Sequence, residues 1–186
     1  VAEMATNLGL ASDRYLSEGI TSCQEAGVGG ILGTAEPVEV AAYQQARRAN
    51  RLRVRVTMMA SVDALHGCAH HADDNEPFAL DLGMHTGFGD DWLRYGATKI
   101  FADGSLMGCT AAMFEDFDGQ PGNNGYFQMP EARLHELILA AHRSGWQVAT
   151  HAIGDRAVSS VLDAYESVLR QHPRADHRHR IEHAGM

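Results

Sequence analysis

Two histidines stand at equivalent places in this sequence. In "ATHAIGDRAV" (149–158) the apolar strand pattern "GWQVAT" runs into His151, and a helical pattern follows from Gly154 and Asp155. In "HRIEHAG" (179–185) His183 closes a second strand pattern. Parallel α/β folds gather their functional groups at the carboxyl ends of strands. Neutral imidazole at such an end is a ready ligand for a divalent metal such as zinc. One βα unit separates the two histidines, so adjacent strands could bring them side by side. The alternative is a pair of hydrogen-bonded histidines at the rim of the fold, without a metal.

Other residues invite the same weighing. Asp155 opens a helix, where a carboxylate satisfies free N–H groups, and Arg156 beside it is expected to pair with a nearby carboxylate. Lys99, in "TKIFADGS", lies inside an apolar strand just before a Gly-rich loop. It either snorkels outward along its aliphatic stem or points into a site, and snorkelling is the simpler reading. His66, His70, His71, Asp73 and Asp74 have the residue types of a metal site but fall in an aperiodic stretch, where a solvated face is the plainer reading. Three other motifs lack their chemistry. "GVGGILG" (27–33) misses the GxGxxG spacing, "HELIL" (135–139) has no second histidine, and "DGSLMG" (103–108) is not a nucleophile elbow.

The elements that must position these groups alternate. Helical patterns cover 10–19, 36–50 (with Pro37 in the first turn), 130–145 and 155–171; strand patterns cover 20–24, 51–59, 97–103, 146–151 and 178–183. Residues 61–90 and 104–128 read as long loops, of the kind that form lids or binding loops. Repeating βα units imply parallel strands with crossover helices. They fit a TIM-type barrel or an open doubly wound sheet equally well. A full barrel takes about 250 residues, so five strands would be a partial one.

With 186 residues, 45% hydrophobic and 21% charged, the chain has the composition of a globular domain. A net charge of −9 argues against a nucleic-acid surface. The one basic run, "RRANRLRVR" (47–55), reads as a helix end leading into a strand. Three scattered cysteines suggest a reducing compartment, the cytoplasm, and not a disulfide framework. No apolar run reaches membrane-spanning length and no leader pattern is present. The chain begins at Val1 and stops just after "IEHAGM", which reads as a piece of something longer.

Taken together, "GITSCQEAG" (19–27), "KIFADGSLMGCTAAMFEDF" (99–117), "THAIGDRAVSSVLDAYE" (150–166) and "HRIEHAG" resemble the amidohydrolase superfamily, in its amidohydrolase 3, YtcJ-like branch with the N-substituted formamide deformylases. The resemblance implies an α/β fold, a partial TIM-type barrel covering roughly strands 2–6, with residues 1–186 as the central part of the hydrolase domain. It implies hydrolysis of C–N bonds in amides, formamides or cyclic amides by metal-activated water in the complete parent, the fragment alone being inactive. The metal would be zinc or a similar divalent ion, one or two per complete protein. Carried over, Lys99 becomes the fourth-strand lysine, carboxylated in many relatives to bridge two metals, and His151 and His183 the fifth- and sixth-strand ligands. That reverses the snorkelling reading, because only an inward lysine fits this role. Asp103 and Ser105 become candidates for substrate contact, with Asp155 and Arg156 structural.

The departures are equally specific. The first-strand HxH pair has no counterpart here, the eighth-strand catalytic aspartate is expected beyond Met186, and Gly108-Cys109 stands where an arginine is expected before "TAA". The partners expected are a small-molecule substrate and, through exposed strand edges, another copy of the chain; neither nucleic acid nor membrane is expected. The rival function is a non-catalytic metal-binding or scaffold domain of the same fold. A nucleotide-binding doubly wound domain ranks behind both, because no phosphate loop is present.

Overall fold

A computed structural model describes residues 1–30, 38–67, 78–80 and 83–186. Pro37, Cys68, His70, His71, Asp73 and Asp74 lie outside the described residues, as does part of "GVGGILG". The chain forms helix α1 (Ala2–Ser17), strand β1 (Ser22–Val28), α2 (Val38–Arg48), β2 (Arg55–Ser61), the two-residue strands β3 (His66–Gly67) and β4 (Phe78–Ala79), β5 (Leu93–Phe101), α3 (Glu131–Arg143), β6 (Val148–Ala152), α4 (Asp155–Gln171) and β7 (Arg180–His183).

Five strands make one sheet in the order β1-β2-β5-β6-β7. The flanking pairs β1–β2 and β6–β7 are parallel. Each strand lies beside the next long strand in the sequence, so the order never reverses. A doubly wound sheet would switch direction part-way; an unbroken order is that of a barrel wall. The fold is therefore an α/β section of a TIM-type barrel, and the open-sheet alternative is excluded.

The chain divides into two compact units, Val1–Cys68 with Ala79–Thr98 and Ala69–Phe78 with Lys99–Met186. In the first, α1 begins eight residues before the expected helix. Its buried stripe is Ala5, Gly9 and Ser12, and small residues at helical spacing carry no hydrophobic periodicity to read. Gly9 lies close against the connector: a Cβ there would lie 3.2 Å from the Arg51 Cβ. The helix closes at Gly19 (φ 81), where Ile20 N–H reaches back to the Tyr15 carbonyl. The basic run behaves as a connector, with Arg51 donating to Thr6 and Arg53 to Asp13. β5 likewise starts before the expected 97. Gly96 lies so close to Thr57 of β2 that a Cβ would come within 2.4 Å of its methyl.

In the second unit, α3 buries Leu134, Leu137, Ile138 and Ala141, and α4 buries Ala157, Val161, Ala164 and Val168. Trp146, Val148 and Ala149 lie at full burial in the same core. Crossover helices that carry an apolar stripe on one side cover a sheet face in this way. Among the described residues no helix is long and apolar enough to cross a membrane.

Candidate metal centre

Alternation along β6 separates two jobs. Thr150 is buried, its hydroxyl 2.8 Å from that of Tyr165 on α4, so His151 points to the other face of the sheet. β7 runs in register beside it, with His151 opposite Glu182 and Ala152 opposite His183. Strict alternation would place His183 with Ala152, on the face turned to α4. Instead the backbone turns left-handed at His183 (φ 76) and again at Ala184 (φ 46), and the His183 ring lies 4.7 Å from that of His151, edge to face. A left-handed conformation at a non-glycine residue is strained and collects at functional sites.

The His151 ring is oriented by its neighbours. Its Nε2 is 2.7 Å from the Gly104 carbonyl. A carbonyl only accepts, so Nε2 carries the proton and the neutral ring keeps its lone pair on Nδ1. Asp103 reinforces this at 3.4 Å from the same nitrogen. A ring nitrogen donating to a carbonyl while the other stays free is how ligating histidines are held. At His183, desolvation outweighs the nearby carboxylates Glu182 and Asp103 and lowers the pKa, which favours the neutral ring a metal requires.

Lys99 does not snorkel. It is 2% exposed, with Nζ 4.0 Å from the centre of the Phe101 ring and 3.5 Å from the Ile100 carbonyl. Burial pushes its pKa down to about 8, with Glu182 opposing and Arg180 adding to the shift. Arg180 and Glu182 form an ion pair at 2.7 Å on β7, in register with Ala149 and His151. The sequence reading overlooked this pair, although its signal was present: residues 180 and 182 of "RIEH" alternate in phase toward the His151 face.

Asp103 and Ser105 are committed inside the protein. The Asp103 side chain is fully buried and accepts the N–H groups of Ala112 (3.0 Å), Ile153 (3.0 Å) and Gly154 (2.8 Å). Burial alone would raise its pKa, but His151 and those three donors outweigh it and hold the carboxylate low. Ser105 folds its own turn, its Oγ accepting from Gly108 N–H and its N–H donating to Thr110 Oγ1. Asp155 accepts the N–H of Arg156 at its helix start and that of Phe114 from the preceding loop. Arg156 pairs with Glu131 at 2.7 Å and lies over Phe127.

The arrangement thus joins His151 and His183 directly, surrounds Lys99 with Phe101, Arg180 and Glu182, and leaves Asp103 and Ser105 as supports. Among the described residues no three His, Cys, Asp or Glu side chains converge as a complete metal site. Two imidazoles and a desolvated amine fit a divalent ion as part of a ligand set, the amine joining it once it carries no proton or is carboxylated.

Fold and side chains together describe a section of barrel wall with imidazoles collected at its strand ends. The chain belongs to the amidohydrolase family, whose profile matches residues 2–186. It is 43% identical over 106 residues to the Arabidopsis thaliana protein LONG AFTER FAR-RED 3, covering 56% of this chain and 18% of that protein. Against the putative amidohydrolase YtcJ of Bacillus subtilis the identity is 39% over 119 residues (58% and 22%). Against the N-substituted formamide deformylase of Arthrobacter pascens it is 32% over 171 residues (91% and 29%). The chain therefore spans less than a third of the length of these relatives. An uncharacterized metal-dependent hydrolase from Pyrococcus furiosus superposes with a TM-score of 0.66 at 28% identity, over 86% of this chain and 30% of that one. A second, from Pyrococcus horikoshii, gives 0.67 at 23% identity, over 88% and 30%.

Proposed function

We propose that these residues form the central section of a barrel hydrolase that cleaves C–N bonds of amides, formamides or cyclic amides with a divalent metal, zinc foremost. The observation that carries the reading is the His151–His183 pair, held ring to ring by a left-handed strand end. The deformylase relative, acting by its name on N-substituted formamides, and the metal-dependent hydrolases of like fold support it.

His151 and His183 would hold the ion. When bound, such an ion supplies an acidified water and polarises a carbonyl. The protein's own groups prepare the place. The Gly104 carbonyl and Asp103 fix the His151 tautomer. The depressed Lys99 amine reacts with carbon dioxide in its neutral form: nitrogen bonds to carbon, a proton leaves, and an anionic carbamate results.

The test is metal content by mass spectrometry on the native chain, His151→Ala and His183→Ala, followed by amide hydrolysis by the full-length parent. Near-stoichiometric zinc lost in both variants, with hydrolysis by the parent, is the expected result. A metal-free parent would overturn the reading. A second reading, a non-catalytic metal-binding or scaffold domain of the same fold, is supported by the edge-to-face contact of His151 and His183, which packs the two rings against each other. A metal-loaded parent without hydrolytic activity would select it.

A further inference from the structure

The opposite ends of β6 and β7 carry a second set of histidines, unrelated to the candidate metal centre. His142 closes α3 and His179 precedes β7, with their Nδ1 and Nε2 atoms 2.8 Å apart. The protons along this contact can be assigned. Val148 N–H donates to His179 Nδ1 at 3.0 Å, so that nitrogen is an acceptor and the proton of the neutral ring is on Nε2. Nε2 then donates to His142 Nδ1. His142 keeps its proton on its own Nε2, which donates to the His172 carbonyl at 2.7 Å. The result is one directed series of bonds, from the start of β6 through two neutral rings to the end of α4.

The surroundings oppose any added proton. A proton on either Nδ1 would meet a hydrogen already pointing at it, from Val148 or from His179. Residues 172–178 bring His172, Arg174 and His177 to the pair, the His177 ring 4.8 Å from that of His179. Arg174 donates to the carbonyls of His142 and Trp146. From α4, Tyr165 stacks on His179 at 5.2 Å and donates to the Arg180 carbonyl. β6 contributes no titratable group here. The acids nearby are engaged elsewhere, Asp176 with Arg178 and Glu182 with Arg180.

We propose that the His142–His179 pair is an acid-sensitive latch, which fastens residues 172–179 to the ends of α3 and β6 while both rings are neutral and releases them when either ring is protonated. Burial, helped by His142, Arg174 and His177, pushes His179 down to about 3, and burial lowers His142 as well. Released histidines titrate near 6.5. The open segment therefore binds more protons than the closed one, and the closed state is favoured fully above about 6.5. It weakens as pH falls from there toward 3, by about tenfold per pH unit for each coupled proton.

Hydrogen exchange on the 186-residue chain between pH 7.5 and 4.5, corrected for intrinsic rates, tests this. The opening constant of amides 172–180 and of Val148 should rise about tenfold per unit below pH 6.5 where one ring is coupled and up to about a hundredfold where both are, while amides of β2 keep their protection. Nitrogen-15 NMR at pH 7.5 should show both rings protonated on Nε2. His179→Gln should flatten the pH slope. If that variant does not fold, the native titration and tautomers decide alone. Either ring titrating near 6.5 with the segment still protected, an opening constant independent of pH, or an Nδ1–H tautomer would overturn the proposal.

Discussion

A histidine in left-handed backbone costs energy that a glycine in the same place does not. At residue 183 the chain bears that cost to bring an imidazole beside His151. His183→Gly should therefore be more stable than His183→Ala by about 1 kcal/mol in urea unfolding, both lacking the imidazole. Equal stabilities would mean that the strain is relaxed in solution. Lys99 makes the same trade in charge. Because burial holds its pKa near 8, Lys99→Met should stabilise the metal-free chain at pH 7 by up to about 3 kcal/mol. The sign follows from linkage: the native amine releases its proton before the unfolded one, so the gain shrinks as pH climbs from about 8 and disappears above about 10.4. Urea unfolding at pH 7 and 10.5 reads both values, and a destabilised variant would contradict the account. At this scale His151 and His183 were legible, because strand-end histidines announce themselves by place. The inward direction of Lys99 came from the family resemblance alone, since a lone lysine in an apolar strand reads the same whichever way it turns.

Elements were legible wherever large apolar residues set a period. The expected 155–171 helix agrees with α4 to the residue, because Ala157, Val161, Ala164, Tyr165 and Val168 mark one face throughout. α1 was cut short because its buried contacts are made by Ala5, Gly9 and Ser12, and β5 because Gly96 interrupts its pattern with a residue whose value lies in the space it leaves empty. The loop after β5 belongs to this second kind. Gly154 packs against it so tightly that a Cβ would fall 2.0 Å from the Ala112 carbonyl oxygen. Asp103 fastens the same junction through three N–H groups. Gly154→Ala should cost about 2–4 kcal/mol in urea unfolding, with a matching fall in Tm. Asp103→Asn replaces an acceptor oxygen with an N–H₂ facing those donors, and about 3 kcal/mol is the expected loss. If either change leaves stability within 0.5 kcal/mol of the native chain, roughly the scatter of surface substitutions, the junction does not bind loop and strand as drawn.

For the molecule as a whole, composition and alternation established an α/β chain, the family resemblance pointed to a partial barrel over an open sheet, and strand order bears the barrel out. Order is a long-range property that no local period encodes. β1 and β7 end the sheet, and an edge strand with free N–H and C=O groups pairs readily with another chain. Light scattering on the 186-residue chain is expected to show mass rising with concentration, and a constant monomer mass would remove that expectation.

The unbroken strand order has a further consequence, for the ribosome. Each new strand emerges to find its neighbour in the sheet already synthesised, so no early strand must wait for a partner encoded much later. Strand pairing can follow translation in a single direction, as vectorial folding requires. The longest wait falls between β5 and β6, across residues 102–147. That interval is where a stalled nascent chain would leave the β5 edge uncovered longest, and where a chaperone would have the most time to act.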